Sequence, residues 1–381
     1  MALIRQAQGN LSPPYGAERH YCGVPGRGCL GLEAFSGAET ETMTGTGREA
    51  KPGRGAGELA TSPRRRRLTL AWLIAVCVAV TVPGAVGAVR YGVTFWLYRG
   101  FPAPAAPHSV VASHGGRPER VKVVPVSEQT IDLASPALGG YRDKVEVVLP
   151  PGYASQPGRR YPVLYLLHGS PGMASDFLTV GDVATDEATL VAEGRMQPLI
   201  LVMPTGSRSF LGDEEWANGV SPGNGWETFV VRDLVRAIDA RYRTIPDGAA
   251  RGLAGLSEGG YGALNIGLHH PGEFDLLESW SGYMIADNFP RIFGHSQALL
   301  RYNSPADLVS AVATQLVGTY IWFYCGESDE VAGQNRDFDA QLTALGLAHD
   351  FFEHPGTHNW ALWRALMPQA LITASEHLRH G

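Results

Sequence analysis

The chain has 381 residues, with 47 Gly, 26 Pro and a net charge of −6. That length carries a full hydrophobic core, but the charge is unevenly placed: residues 1–67 hold ten basic and six acidic side chains, while the remainder is net −10. A body that acidic has no basic footprint for nucleic acid, and with Cys325 as its one cysteine after Cys77 it cannot close an internal disulfide.

Residues 1–67 are rich in Gly, Ser, Thr, Pro and charge without a sustained apolar period. They read as a disordered, basic cytoplasmic tail. Four arginines, Arg64 to Arg67, then precede the uncharged, mostly apolar run Leu68–Val89. A helix of that length spans a hydrocarbon core of roughly 30 Å. The arginines favour a cytoplasmic N-terminus, which places everything after Val89 outside. Three readings of 68–89 follow: an uncleaved transmembrane anchor; a signal peptide cleaved near Val86-Gly87-Ala88, whose apolar core, Leu68–Val82, is broken by Pro83-Gly84; or a buried core helix, for which the run is long. Residues 90–120 include the Pro/Ala/Gly stretch "FPAPAAPHSVVASHGGRPER" and read as a linker. The folded domain is expected over 121–381.

Within it, "KVEVVLP" (144–150) alternates as a partly exposed strand does. "YPVLYLLHG" (161–169), "PLILVMPTG" (198–206), "RGLAGLS" (251–257) and "YIWFYCGESD" (320–329) are near-continuous apolar runs. They have the pattern of strands buried on both faces of a parallel sheet. "DFFEH" (350–354) is a further strand. "VRDLVRAIDARY" (231–242) places Leu234, Val235, Ile238 and Tyr242 on one helical face. "YGALNIGLHH" (261–270) predicts a helix stopped by Pro271. Strands and helices in alternation give the α/β class, with a mostly parallel sheet covered by helices on both faces.

The turn Gly255-Leu256-Ser257-Glu258-Gly259 fits G-x-S-x-G. In so glycine-rich a chain the pattern is weak by itself. Its place between a buried strand and a helix is what a nucleophile elbow requires. A nucleophilic serine also needs a base, an orienting acid and an oxyanion site. In chain order the acid follows from "GESDE", where Asp329 competes with Glu327 and Glu330. The base follows from "HPGTHNWALW", where His358 competes with His354. The spacing of those two histidines is zinc-like, but Pro355-Gly356 forbids a helix there, so no metal is expected. One oxyanion donor is expected from the N–H of Glu258. The second comes from the loop "LLHGSPG" (166–172); Pro171 has no N–H, which leaves Ser170. The 206–228 stretch, with Trp216 and Trp226, is a candidate substrate wall, and its alternative is a surface loop whose tryptophans pack on the body. Candidate substrate contacts are His168, Trp216, Trp226 and Trp360.

"VEVVLPPGYASQPGRRYPVLYLLHG", "WETFVVRDLVRAIDARYR", "GLSEGGYGAL", "CGESD" and "GTHNWALW" occur in this order, and together they resemble a bacterial esterase family of α/β-hydrolases. That family includes feruloyl and acetyl esterases, S-formylglutathione hydrolases and secreted mycolyltransferases. The resemblance covers roughly 121–381. It implies the α/β-hydrolase fold, a triad of Ser257, Asp329 and His358, and an oxyanion site at Ser170 and Glu258. It implies a serine esterase acting on a small-molecule or cell-envelope ester without a cofactor. "SRSFLGDEEWANG" and "GWETF" are similar to the mycolyltransferase branch, whereas His168-Gly169-Ser170 departs from the acidic residue which that branch carries. Acyl transfer to an extracellular acceptor is thus the first alternative, and a non-catalytic binding protein on a hydrolase fold is the second. Many relatives carry methionine after the nucleophile. Here the residue is Glu258, whose carboxylate is expected to point away from the oxyanion.

Overall fold

The computed structural model describes residues 123–381 except 210, 211 and 288, and of the earlier residues Trp72. The tail over 1–67, the apolar run over 68–89 and the linker over 90–120 lie outside the described residues, Trp72 apart. Among the described residues no helix is long and apolar enough to cross a membrane.

Eight strands form one sheet: β1 (Ser127–Ala134), β2 (Arg142–Leu149), β3 (Val163–Leu167), β4 (Ile200–Pro204), β5 (Arg251–Leu256), β6 (Leu276–Trp280), β7 (Tyr320–Gly326) and β8 (His349–His354). Their order is β1-β2-β4-β3-β5-β6-β7-β8. β2 runs antiparallel to both neighbours, and every pairing from β4 to β8 is parallel. The central strands β3, β4 and β5 are buried at every residue. Their apolar runs are continuous because helices cover both faces.

Alternate residues point to opposite faces, and the core divides accordingly. On one face Val163, Tyr165, Ile200, Val202 and Leu253 pack with α2 (Val235–Arg241) and α3 (Glu258–His269). On the other, Leu164, Leu166, Leu201, Ala254 and Leu256 pack with α1 (Val183–Ala192) and, at the C-terminal end of the chain, the helix Trp360–His377. Between these come α4 (Pro305–Val312) and α5 (Ala332–Leu345), so Trp360–His377 is α6. This is an α/β-hydrolase-like fold with a mostly parallel sheet.

The helix expected over 231–242 is a π-helical stretch, Phe229–Leu234, that runs into α2. Leu234, Val235, Ile238 and Tyr242 are all buried, as their spacing requires. The helix expected from Tyr261 begins three residues earlier, at Glu258, directly after the serine. Two strands are not marked by the apolar pattern. β1 is an edge strand with mostly exposed side chains. β6, "LLESW", sits between β5 and β7, and its apolar run is broken by Glu278.

Several buried carboxyls make the fold sensitive to pH. Glu187 accepts the Leu199 N–H at 3.0 Å, and burial pushes it up to about 8. Burial likewise raises Glu278, and pushes Asp143 up to about 7 despite its hydrogen bonds from Thr205 and Gly206. Glu227 goes the other way. Burial alone would raise it, but hydrogen bonds and charge from His269 and His270 bring it down to about 2. The raised groups hold protons that the unfolded chain gives up near its ordinary carboxyl range, so stability falls as pH rises from there to about 8. The Glu227 contribution is present above that range and is lost as pH falls toward about 2. Thermal unfolding from pH 4 to pH 9 is therefore expected to show its highest midpoint near pH 5, falling by on the order of 5 °C toward pH 9. A midpoint that rises from pH 5 to pH 9 would contradict these assignments.

Candidate active site

β5 delivers Ser257 to the C-terminal edge of the sheet. There the backbone turns sharply into α3, and Ser257 takes φ +55° and ψ −121°. A non-glycine residue adopts that conformation only where its surroundings hold it. Here the Ser257 N–H donates to the Trp280 carbonyl at 2.8 Å, and its own carbonyl accepts the Tyr261 N–H at 3.0 Å. The flanking glycines are required by space. A Cβ on Gly255 would lie 2.3 Å from the Gly259 carbonyl oxygen, and one on Gly259 would lie 1.9 Å from that of Leu167.

His358 Nε2 lies 2.8 Å from Ser257 Oγ. Its Nδ1 lies 3.0 Å and 3.1 Å from the two carboxylate oxygens of Asp329. The three residues come from three distant loops, and the β7–β8 pairing brings the last two together. Gly326 pairs with His354 at the strand ends. Beyond them the Glu327 N–H donates to the His354 carbonyl, and the Ser328 N–H to that of Gly356. Asp329 thus arrives opposite His358. His358 is fixed from its other side, because the next residue, Asn359, caps α6 through the N–H groups of Ala361 and Leu362. The Trp363 ring stands edge-on to the imidazole at 5.1 Å.

The competitors are thereby separated. Glu327 and Glu330 are exposed, whereas the Asp329 side chain is fully buried. His354 packs edge-on against Tyr324. Burial alone would raise the Asp329 carboxyl. Hydrogen bonding and charge from His358, with hydrogen bonds from Ser281 and the Val331 N–H, outweigh it and hold Asp329 below its ordinary value. Ser281 had no signal in the sequence. It stands at the end of β6 with φ +54° and also accepts the Trp363 indole N–H at 3.1 Å.

Glu258 opens α3, so its N–H has no acceptor within the helix. Ser170 lies in the loop after β3, and among the described residues neither its N–H nor that of Glu258 hydrogen-bonds another backbone group. The Glu258 carboxyl is turned into the protein, where it accepts the Glu215 N–H at 2.8 Å.

The four candidate substrate contacts are all buried. The His168 ring lies between the carbonyls of Gly169 and Thr205, and burial lowers its pKa. Trp216 is 1% exposed and donates its indole N–H to the His168 carbonyl at 3.0 Å. Trp226 packs on Tyr141 and Phe229, and Trp360 on Phe177 and Trp363. These side chains fill space and offer no open face to a ligand in this conformation. The tryptophans of 206–228 pack on the body; it is the polar residues of the same stretch that meet open space. Arg208, Glu214, Ser221 and Asn224 line a cavity of about 420 Å³ against the β1–β2 turn at Leu138 and Gly139.

The family described as "Putative esterase" matches residues 135–374. Esterase Rv1288 of Mycobacterium tuberculosis is 29% identical over 252 residues, covering 58% of this chain and 53% of that protein. The diacylglycerol acyltransferase/mycolyltransferase Ag85A of Mycobacterium leprae is 26% identical, covering 54% of this chain and 72% of that protein. The chain spans about half the length of the first of these relatives. Among solved structures, a ferulic acid esterase superposes with a TM-score of 0.60 at 26% identity, covering 67% of this chain and 100% of that one. With the match running from β1's end to the last turns of α6, the chain belongs to that esterase family.

Proposed function

We propose that this chain hydrolyses carboxylic esters through an acyl-Ser257 intermediate, outside the cytoplasmic membrane. The observation that carries the reading is the unbroken hydrogen-bonded line Asp329–His358–Ser257, with the serine held on a strained turn. Ser257 Oγ attacks the ester carbonyl while His358 Nε2 takes its proton. Asp329 holds the imidazole by Nδ1 and stabilises the imidazolium. The N–H groups of Glu258 and Ser170 receive the developing oxyanion. The alcohol leaves with the proton from His358. Water then attacks the acyl-serine by the same route in reverse, releasing the acid. The placement outside the membrane is supported by the four arginines before Leu68–Val89.

The test follows p-nitrophenyl esters from acetate to palmitate, with the acyl adduct on Ser257 read by intact mass. Turnover with a transient adduct is expected, and the chain-length profile identifies the acyl group. A folded protein with neither turnover nor adduct would be a binding protein on a hydrolase fold. The similarity to a mycolyltransferase favours one second reading, in which a hydroxyl acceptor replaces water. An adduct that persists in water and is released as a new ester by glycerol or a sugar would establish it.

Asp329→Asn removes the charge that orients His358. We expect kcat to fall by about three to four orders of magnitude with KM little changed. A fall under tenfold would transfer the role to Glu327 or Glu330.

A further inference from the structure

The mechanism above uses only the backbone of Glu258, yet its side chain is built into the protein with care. Its carboxyl accepts the N–H of Glu215 at 2.8 Å and is hydrogen-bonded by that of Glu214 as well. Glu215 and Trp216 are consecutive non-glycine residues at φ +54° and +47°. L residues adopt that region only when the surroundings over-determine it. Two anchors do so here. The Glu215 carboxyl accepts the Tyr283 hydroxyl at 2.6 Å, and Tyr283 stacks on Tyr261 of α3 at 4.6 Å. The Glu258 carboxyl holds the backbone of the same turn from the other side.

The turn drives Trp216 inward. Its indole occupies the space beside Gly206, and its Cβ packs so closely on Gly262 of α3 that a Cβ there would lie 2.6 Å away. The indole N–H donates to the carbonyl of His168, two residues before Ser170. We propose that Glu258 is a positioning residue for both oxyanion donors: its N–H is one, and its carboxyl, through the Glu215–Trp216 turn and the His168 carbonyl, fixes the loop that carries the other. This rests on the esterase reading above.

The arrangement works with Glu258 neutral. Burial, and the charges of Asp213 and Glu215, raise its carboxyl well above the ordinary range. The groups that face it are Asp213, Glu214 and Glu215 on the turn, Tyr261 on α3 and Tyr283 after β6, while Asp287 acts on Glu215. The nearby cation, Arg291, reaches Asp213 at 3.7 Å and Glu214 at 3.5 Å. Burial and the Asp213 charge push Glu215 up to about 9 as well, so alkaline pH charges the pair; negative charge there repels Asp213 and opposes the oxyanion forming one residue away from Glu258. Alkaline pH therefore loosens the turn and lowers kcat.

The experiment measures kcat and KM of the full chain for a p-nitrophenyl ester from pH 6 to pH 10. Wild type is compared with Ser257→Ala, Glu258→Leu, Glu258→Gln and Trp216→Phe, and folding is checked by thermal unfolding. Glu258→Leu leaves two turn N–H groups unpaired and is expected to lower kcat roughly 10- to 100-fold with KM little changed. Glu258→Gln keeps an acceptor that cannot ionise. It should recover most of that loss, to within about threefold of wild type, and should weaken the alkaline decline, leaving the part that Glu215 contributes. Trp216→Phe keeps a ring but removes the indole N–H that holds the His168 carbonyl, and is expected to lower kcat roughly tenfold. If Glu258→Leu does not fold, the Gln and Phe variants decide. Folded variants with wild-type kcat, or an alkaline decline unchanged in Glu258→Gln, would overturn the inference while leaving the esterase reading standing. A wild type without Ser257-dependent turnover would overturn both.

Discussion

Ser257→Ala is expected to lower kcat on p-nitrophenyl esters by at least about 10⁴-fold, because removal of the nucleophile leaves only binding and the oxyanion donors. The change deletes one oxygen at a position where the backbone is already committed to φ +55°. That conformation costs alanine as much as it costs serine, and the hydrogen bonds that hold it come from the backbone of Trp280 and Tyr261. The thermal midpoint should therefore stay close to wild type. Loss of activity then reports chemistry and not unfolding. Intact mass should show no acyl adduct on the variant. Retention of more than a few per cent of turnover would remove Ser257 from the mechanism.

Gly259→Ala should destabilise the protein by about 3 kcal/mol or more, and inactivate what remains folded. Its Cβ would meet the Leu167 carbonyl oxygen at 1.9 Å, the Leu167 carbonyl carbon at 2.4 Å and the His168 carbonyl oxygen at 2.7 Å. All three are backbone atoms, so no side-chain rotation relieves the clash. Either α3 must retreat from β3 or the end of β3 must move, and the oxyanion loop begins there. Gly333→Ala is the control. It lies in α5 with nothing within 4 Å of its Cβ, and alanine should stabilise the helix by up to about 1 kcal/mol. Urea unfolding of the two variants beside wild type measures both. A wild-type midpoint for Gly259→Ala would mean that helix and strand do not approach this closely.

The two variants examine different properties of one turn. In the proposed mechanism Ser257 carries the chemistry and little of the stability. Gly259 carries no chemistry, but it lets α3 approach the sheet closely enough for its first N–H groups to face the site. Glu258 lies between them, and the proposed mechanism gives it both parts: its backbone N–H at the site, and its carboxyl, which accepts the Glu215 N–H inside the protein.

The amino-acid sequence by itself determined the central strands. β3, β4, β5 and β7 are buried on both faces, and burial on both faces demands continuous apolar runs that local composition displays. It also determined the strand–serine–helix turn, legible in its G-x-S-x-G pattern, and the chain order of serine, acid and histidine, although what forces Gly259 is the distant backbone at the end of β3. Tertiary structure decided the rest, because the deciding contacts join residues far apart in the chain. Asp329 was separable from Glu327 by its family resemblance but not by local spacing. In the fold, the parallel pairing of β7 with β8 buries Asp329 against His358 and leaves Glu327 in solvent. β6 was hidden because Glu278 breaks its apolar run. Its strand state is imposed by β5 and β7 on either side, and its charge is relieved by a raised pKa. The tryptophans of the 206–228 stretch have the composition of a binding wall. Only the glycines at 206 and 262, distant in sequence and packed on opposite ends of the same side chain, reveal that Trp216 is a strut. Local periodicity reports which faces are buried. It carries no information about which buried face meets which, and the site is assembled from those meetings.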